Sequence, residues 1–170
     1  MTLLSIIPCF QGTINLCGEQ ATGPLDMTTG YAIDLQDSTG NEKKVGEQAI
    51  WSFLMQICFY LGEIEQAALL AEKLQDLDLG LFRAEVFYPT RVFFFALIAA
   101  EQFRITGKRK HKLKAKKHAE LISKWISAGA INLTHKGLIL RAQLSSISSK
   151  SKAADTQALY DKAFAAAMRW

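Results

Sequence analysis

Hydrophobic and polar positions follow a helical period along most of this chain. In the stretch from Ile50 to Leu74, the residues Trp51, Leu54, Ile57, Cys58 and Leu61 recur at intervals of three and four, so they share one helical face. Beyond Gly62 the pattern resumes at Ile64, Ala67, Ala68, Ala71 and Leu74. Large residues in the first segment facing small ones in the second predict two closely packed antiparallel helices. The reversal falls at Gly62, because a helix ends readily where a residue without Cβ takes a left-handed conformation.

The same alternation predicts two further hairpins. The second opens at Tyr88-Pro89-Thr90, where proline suits a first turn whose N–H has no helical partner. Its first helix, RVFFFALIAAEQFRI, is apolar nearly all round and belongs at the centre of the fold. Thr106-Gly107 ends it. A basic helix follows with an apolar stripe at Leu113, Leu121, Ile122, Trp125 and Ile126, and Gly129 is placed to stop it. The third hairpin starts after Asn132-Leu133, with Thr134 as N-cap. Leu138, Ile139, Ala142 and Leu144 face inward on its first helix, and Leu159, Ala163, Ala167 and Trp170 on its second.

The predicted organisation is therefore an irregular segment with a short helix over 1–41 and a helical array over 42–170, with hairpins at about 42–77, 88–128 and 134–170. A hairpin with one apolar face left over needs neighbours to cover it. The expected fold is all-α, with antiparallel helical hairpins stacked as a tetratricopeptide-like α-solenoid. Trp51, Leu54, Gly62, Ile64 and Ala67 fit the spacing of that repeat. A closed helical bundle is the alternative.

Composition adds limits. The chain has 170 residues, 49% of them hydrophobic and 21% charged, as expected of one globular domain or part of one. The apolar runs Ile50–Leu61 and Val92–Ala100 fall short of the roughly 18–20 residues that cross a bilayer, so no transmembrane segment is expected. Met1–Phe10 lacks the basic start of a signal peptide. Cys9, Cys17 and Cys58 have neither disulfide-framework nor zinc spacing and suit a reducing, cytoplasmic setting as free thiols.

The net charge of +4 is modest, but it is concentrated: Lys108, Arg109, Lys110, Lys112, Lys114, Lys116 and Lys117 crowd one helix start. Cations there oppose the helix dipole, at about 0.3–1 kcal/mol each in low salt. The run reads first as a solvated face, then as a docking surface for an acidic protein or an anionic membrane, or as a nuclear import tag. The run itself has no aromatic residues for stacking on bases, which argues against nucleic acid.

No catalytic constellation and no cofactor motif is present. His111 and His118 stand seven residues apart, two turns, with no third ligand for a metal. His135 lies in Thr134-His135-Lys136-Gly137, whereas a phosphoacceptor of the H-x-x-K-G type needs its lysine one turn away; Lys136 is instead displaced by about 100°. The aromatic set Trp51, Phe93, Phe94, Phe95, Phe103 and Trp125 is core or the lining of a peptide groove.

Several patterns coincide: Gln11–Gly18 before a Pro-Leu turn, the Trp51–Leu74 hairpin, FYPTRVFFFALIAA, Trp125 ahead of Asn132, His135 and Lys136, Leu138–Leu144, and then Ala158, Tyr160, Asp161, Lys162 and Ala163. From about Gln11 onward they resemble the helical-repeat region of large multidomain signalling proteins. In those, a kinase-like domain and an ATPase domain of the signal-transduction type precede a tetratricopeptide-like array. A GAF domain and a histidine kinase module often follow. The anchors are Asn132, His135, Lys136, Leu138, Ala142, Tyr160 and Ala163. This chain departs from the family pattern where Gly129-Ala130-Ile131 replaces a Cys-Pro and where Gln143 replaces a glutamate.

The resemblance implies a non-catalytic scaffold segment that couples neighbouring domains of a larger chain or binds protein partners, in a parent that is an ATPase or histidine kinase. The alternatives are a stand-alone histidine phosphotransfer protein using His135 and an anionic-surface docking module using the basic helix.

Overall fold

In the computed structural model, the described residues are 41–76, 88–148 and 153–169. They form helices joined by short turns and contain no strand. The elements in order are α1 (Asn41–Tyr60), α2 (Ile64–Asp76), α3 (Tyr88–Thr106), α4 (Arg109–Ser127), a 3-10 turn (Ile131–Leu133), α5 (Thr134–Ser146) and α6 (Ala153–Ala167). The chain divides into two compact units, Met1–Gly46 and Glu47–Trp170, and the first is described only over the opening turns of α1. The expectations for Gln11–Gly18, the turn at Thr22–Leu25, Cys9, Cys17 and Trp170 lie outside the described residues.

The helix ends follow from two glycines. After α1, Gly62 has φ +83, its N–H bonds to the Phe59 carbonyl at 3.1 Å, and the Glu63 N–H bonds to the Cys58 carbonyl at 2.9 Å. After α4, Gly129 has φ +104, with matching bonds from its N–H to Ile126 at 3.0 Å and from Ala130 to Trp125 at 2.9 Å. Both are Schellman closures, which satisfy the last carbonyls of a helix and turn the chain back on itself. The short connection at Gly107 closes on the Phe103 carbonyl at 2.8 Å.

Helix α3 is the centre. Every residue from Arg91 to Ala100 is buried, because α2, α4 and α5 pack on it and α1 reaches it through side chains. Phe59 and Tyr60 of α1 meet the Phe94 ring edge-on at centroid distances of 5.6 and 5.5 Å. Arg91 is buried and donates a hydrogen bond to Gln48 Oε1 at 3.3 Å. Against α4, Ala99, Ala100 and Ala115 form a small-residue contact over which Leu144 and Ile147 close. Small side chains allow the helix backbones to come near one another and fix where bulkier neighbours fit.

Helix α5 runs in the same direction as α3. Lys136, near its start, donates to Thr90 Oγ1 at 2.7 Å, and near its end Gln143 Oε1 and Ser146 Oγ accept from Arg104 at 3.2 and 3.1 Å. Helix α6 packs on α5, and Ser145 Oγ and Thr156 Oγ1 lie 3.0 Å apart across them. No described helix is long and apolar enough to cross a membrane.

Four side-chain assignments from periodicity change. Leu113 does not belong to the buried stripe of α4: it is 55% exposed, and His111, Ala115, Ala119 and Ile122 are the buried residues. On α1, Met55 is fully buried whereas Leu61 is exposed, since Leu61 has already entered the turn. On α5 the most buried leucine is Leu140. Ala167 is exposed, and Ala163 is the buried residue of α6.

Thr134 is not an N-cap either. It is the first residue of α5, and its hydroxyl donates backward to the Ile131 carbonyl at 2.6 Å.

Candidate functional site

Not every cation of the basic run lies on one surface. Helix α4 starts at Arg109, with Lys108 as an N-cap that makes no side-chain capping bond, and its cations spread around the axis at about 100° per residue. Lys112 turns inward, donating to the Ile147 carbonyl at 3.4 Å with its amine 5.3 Å from the centre of the Phe103 ring. Lys114 pairs with Glu72 of α2 at 3.5 Å. Lys116 meets Glu120 one turn on, at 3.7 Å. Lys108, Arg109, Lys110 and Lys117 are exposed and make no ion pair with a described residue. The pairs at Lys114 and Lys116 are solvent-exposed and worth under about 1 kcal/mol each.

A groove of about 920 Å³ lies beside α4. Gln48 of α1, the end of α2, the first half of α3, the second half of α4 and the 3-10 link line it. Leu74, Val92, Phe95, Leu121 and Trp125 supply apolar surface, and Tyr88 and Trp125 stand with ring centroids 5.7 Å apart. Its charged lining is Arg91, which is buried and bonded to Gln48, together with Lys117, Lys124 and Glu120. Periodicity did not locate this groove, because it is assembled from five elements spread from Gln48 to Leu133.

The histidines are held neutral. The His118 ring meets Phe95 at a tilt, with centroids 5.5 Å apart; burial, then Lys117 and Lys114, lower its pKa to about 4. His111 is lowered by burial first and then by Lys110, Lys114 and Lys108, an effect slightly opposed by Glu72. His135 is lowered by burial and by Lys136, against a backbone hydrogen bond at Asn132 that raises it. The Nδ1 of His135 is buried with no hydrogen-bond partner.

The Lys136 amine, lowered by burial, is occupied by Thr90 and lies 5.8 Å from the centre of the Phe93 ring. Lys136 therefore ties α5 to α3 instead of standing ready beside His135. Cys58 is a buried free thiol, its pKa raised by burial and by Glu63. Among the described residues no group of three histidine, cysteine or acidic side chains is placed to hold a metal ion.

The remaining expected positions are structural in their surroundings. Trp51 is half-buried with the Lys73 amine 5.4 Å from its ring centre, which joins α1 to α2. Ala67 is fully buried, Tyr160 is half-buried with its pKa raised by burial, and Ala163 seats α6 on the fold. Asn132 is exposed in the 3-10 link. Comparison of the chain with protein-family models, curated proteins and solved structures finds no match.

Proposed function

We propose that this chain is a non-catalytic helical-repeat scaffold, a segment of a signal-transduction ATPase or histidine kinase that couples neighbouring domains and holds a protein partner. The observation that carries the reading is the succession of first helices: α1 leans on α3 through Gln48 and Arg91, and α3 leans on α5 through Thr90 and Lys136. A tie from each first helix to the next is what a stack of repeats would require. The groove beside α4 supplies a concave surface of a kind such arrays use for binding. The occupied amine of Lys136 and the buried Nδ1 of His135 favour this reading over phosphotransfer.

The test is to sequence the transcript on both sides of the segment. An open frame continuing into an ATPase domain upstream and a kinase module downstream supports the proposal. A start codon at Met1 together with a stop after Trp170 overturns it.

A further inference from the structure

Leu113 is the exposed residue that the periodicity of α4 placed inside. Its four nearest neighbours on the helix surface, three and four residues away on each side, are Arg109, Lys110, Lys116 and Lys117. All four are exposed cations. Lys124 extends the same face, so the basic surface runs about 22 Å along the helix from Arg109. Glu120 is the single carboxylate on it, paired with Lys116. The result is an apolar side chain standing in a ring of positive charge, on a helix whose opposite side is fixed to α3 and α5.

We propose that this face docks on an anionic lipid bilayer, with Leu113 entering the acyl boundary and Arg109, Lys110, Lys116, Lys117 and Lys124 engaging the head groups. The observations favour lipid over the other polyanions. A sugar-phosphate backbone offers no apolar layer for Leu113, and the face carries no aromatic residue to stack on bases. An acidic protein would have to enclose a ridge one helix wide, whereas a membrane surface meets such a ridge without rearrangement. Long cationic side chains beside an inserted apolar residue reach back to the head-group layer along their own hydrocarbon stems. The face is a property of α4 whether the hairpins continue a repeat array or close a bundle.

The test is sedimentation of the full chain with vesicles of phosphatidylcholine, with and without about 30 mol% phosphatidylserine. Binding is expected only to the anionic vesicles, falling steeply between about 0.1 and 0.5 M salt as the charges are screened. Each cation near the surface contributes about fivefold, so Lys110→Gln combined with Lys117→Gln weakens binding about 25-fold. Leu113→Asn weakens it about tenfold. Arg141→Gln with Lys162→Gln removes the same charge from α5 and α6 and leaves binding within about twofold.

The substituted positions are exposed, and unchanged helical circular dichroism confirms folding. Equal binding to neutral vesicles overturns the proposal, as does unchanged binding of the Leu113→Asn variant. So does a preference for single-stranded RNA or poly-glutamate over anionic vesicles.

Discussion

The contact between Gly137 of α5 and Ile126 of α4 sets how closely the third hairpin sits on the second. A Cβ added at Gly137 falls 2.6 Å from Ile126 Cδ1 and 3.8 Å from Ile122 Cγ2. The second distance is ordinary contact, so the whole clash lies with the tip of Ile126. That side chain is half-buried and β-branched, so its Cδ1 moves aside only by leaving its rotamer, and Ile122 beside it is fully buried. Gly137→Ala gains about 0.5–1 kcal/mol of helix propensity. Overpacking against Ile126 costs about 1–3 kcal/mol. The net expectation is a loss of about 1 kcal/mol, a drop in Tm of about 4 °C for a unit of this size.

Ile126→Val removes the clashing methyl and costs about 1 kcal/mol alone. In that background Gly137→Ala becomes stabilising by its propensity gain. Urea unfolding of the parent, both single variants and the double variant should give a coupling of about 1.5–2 kcal/mol. Additivity within about 0.5 kcal/mol, or a stabilising Gly137→Ala in the parent, refutes the reasoning.

Three further outcomes follow from the packing. The His118 pKa is about 4 in the fold, below its unfolded value of 6.5, so acid favours the unfolded chain. The stability from neutral His118 is complete above about pH 6.5 and falls through pH 4, by on the order of 2–3 kcal/mol; His118→Phe should flatten that part of a Tm-against-pH curve. Gly129→Ala should cost about 1–2 kcal/mol in chemical denaturation through its φ of +104 alone, since nothing lies within 4 Å of the added carbon. Met55→Ala, at a fully buried site, should cost about 2–5 kcal/mol in thermal unfolding, whereas Leu113→Ser stays within about 0.5 kcal/mol.

The helical hairpins were legible because their signals are local. Gly62 and Gly129 end helices by backbone geometry that depends on residues within one turn, and α3 reads as central because it is apolar on every side. The inner face of α4 was not legible. Lysine dominates its first half, so periodicity draws the stripe through Leu113 there, yet the buried positions are filled by His111, Ala115 and Ala119. Alanine carries little hydrophobic signal, and it is buried here because α3 presents alanines of its own at Ala99 and Ala100.

The polar ties were equally hidden. Gln48 with Arg91, and Thr90 with Lys136, join residues more than 40 positions apart, and none of these residue types marks a core by periodicity. The groove depends on five elements at once and has no sequence signature beyond Tyr88 and Trp125, whose ring contact needs the fold to bring them together. Leu113 became informative only when its burial failed.

The proposed scaffold requires that the hairpins stack in sequence, each resting on its predecessor. The most direct measurement is urea unfolding of the chain truncated after Ile131, which removes α5 and α6. Stacked hairpins predict a chain that still unfolds cooperatively with the helical signal of α1 to α4 intact, lower stability, and an m value smaller by roughly a third. Loss of the helical signal of α1 to α4, or a broad non-cooperative transition, would contradict stacking and mark a bundle whose core closes only when all six helices are present.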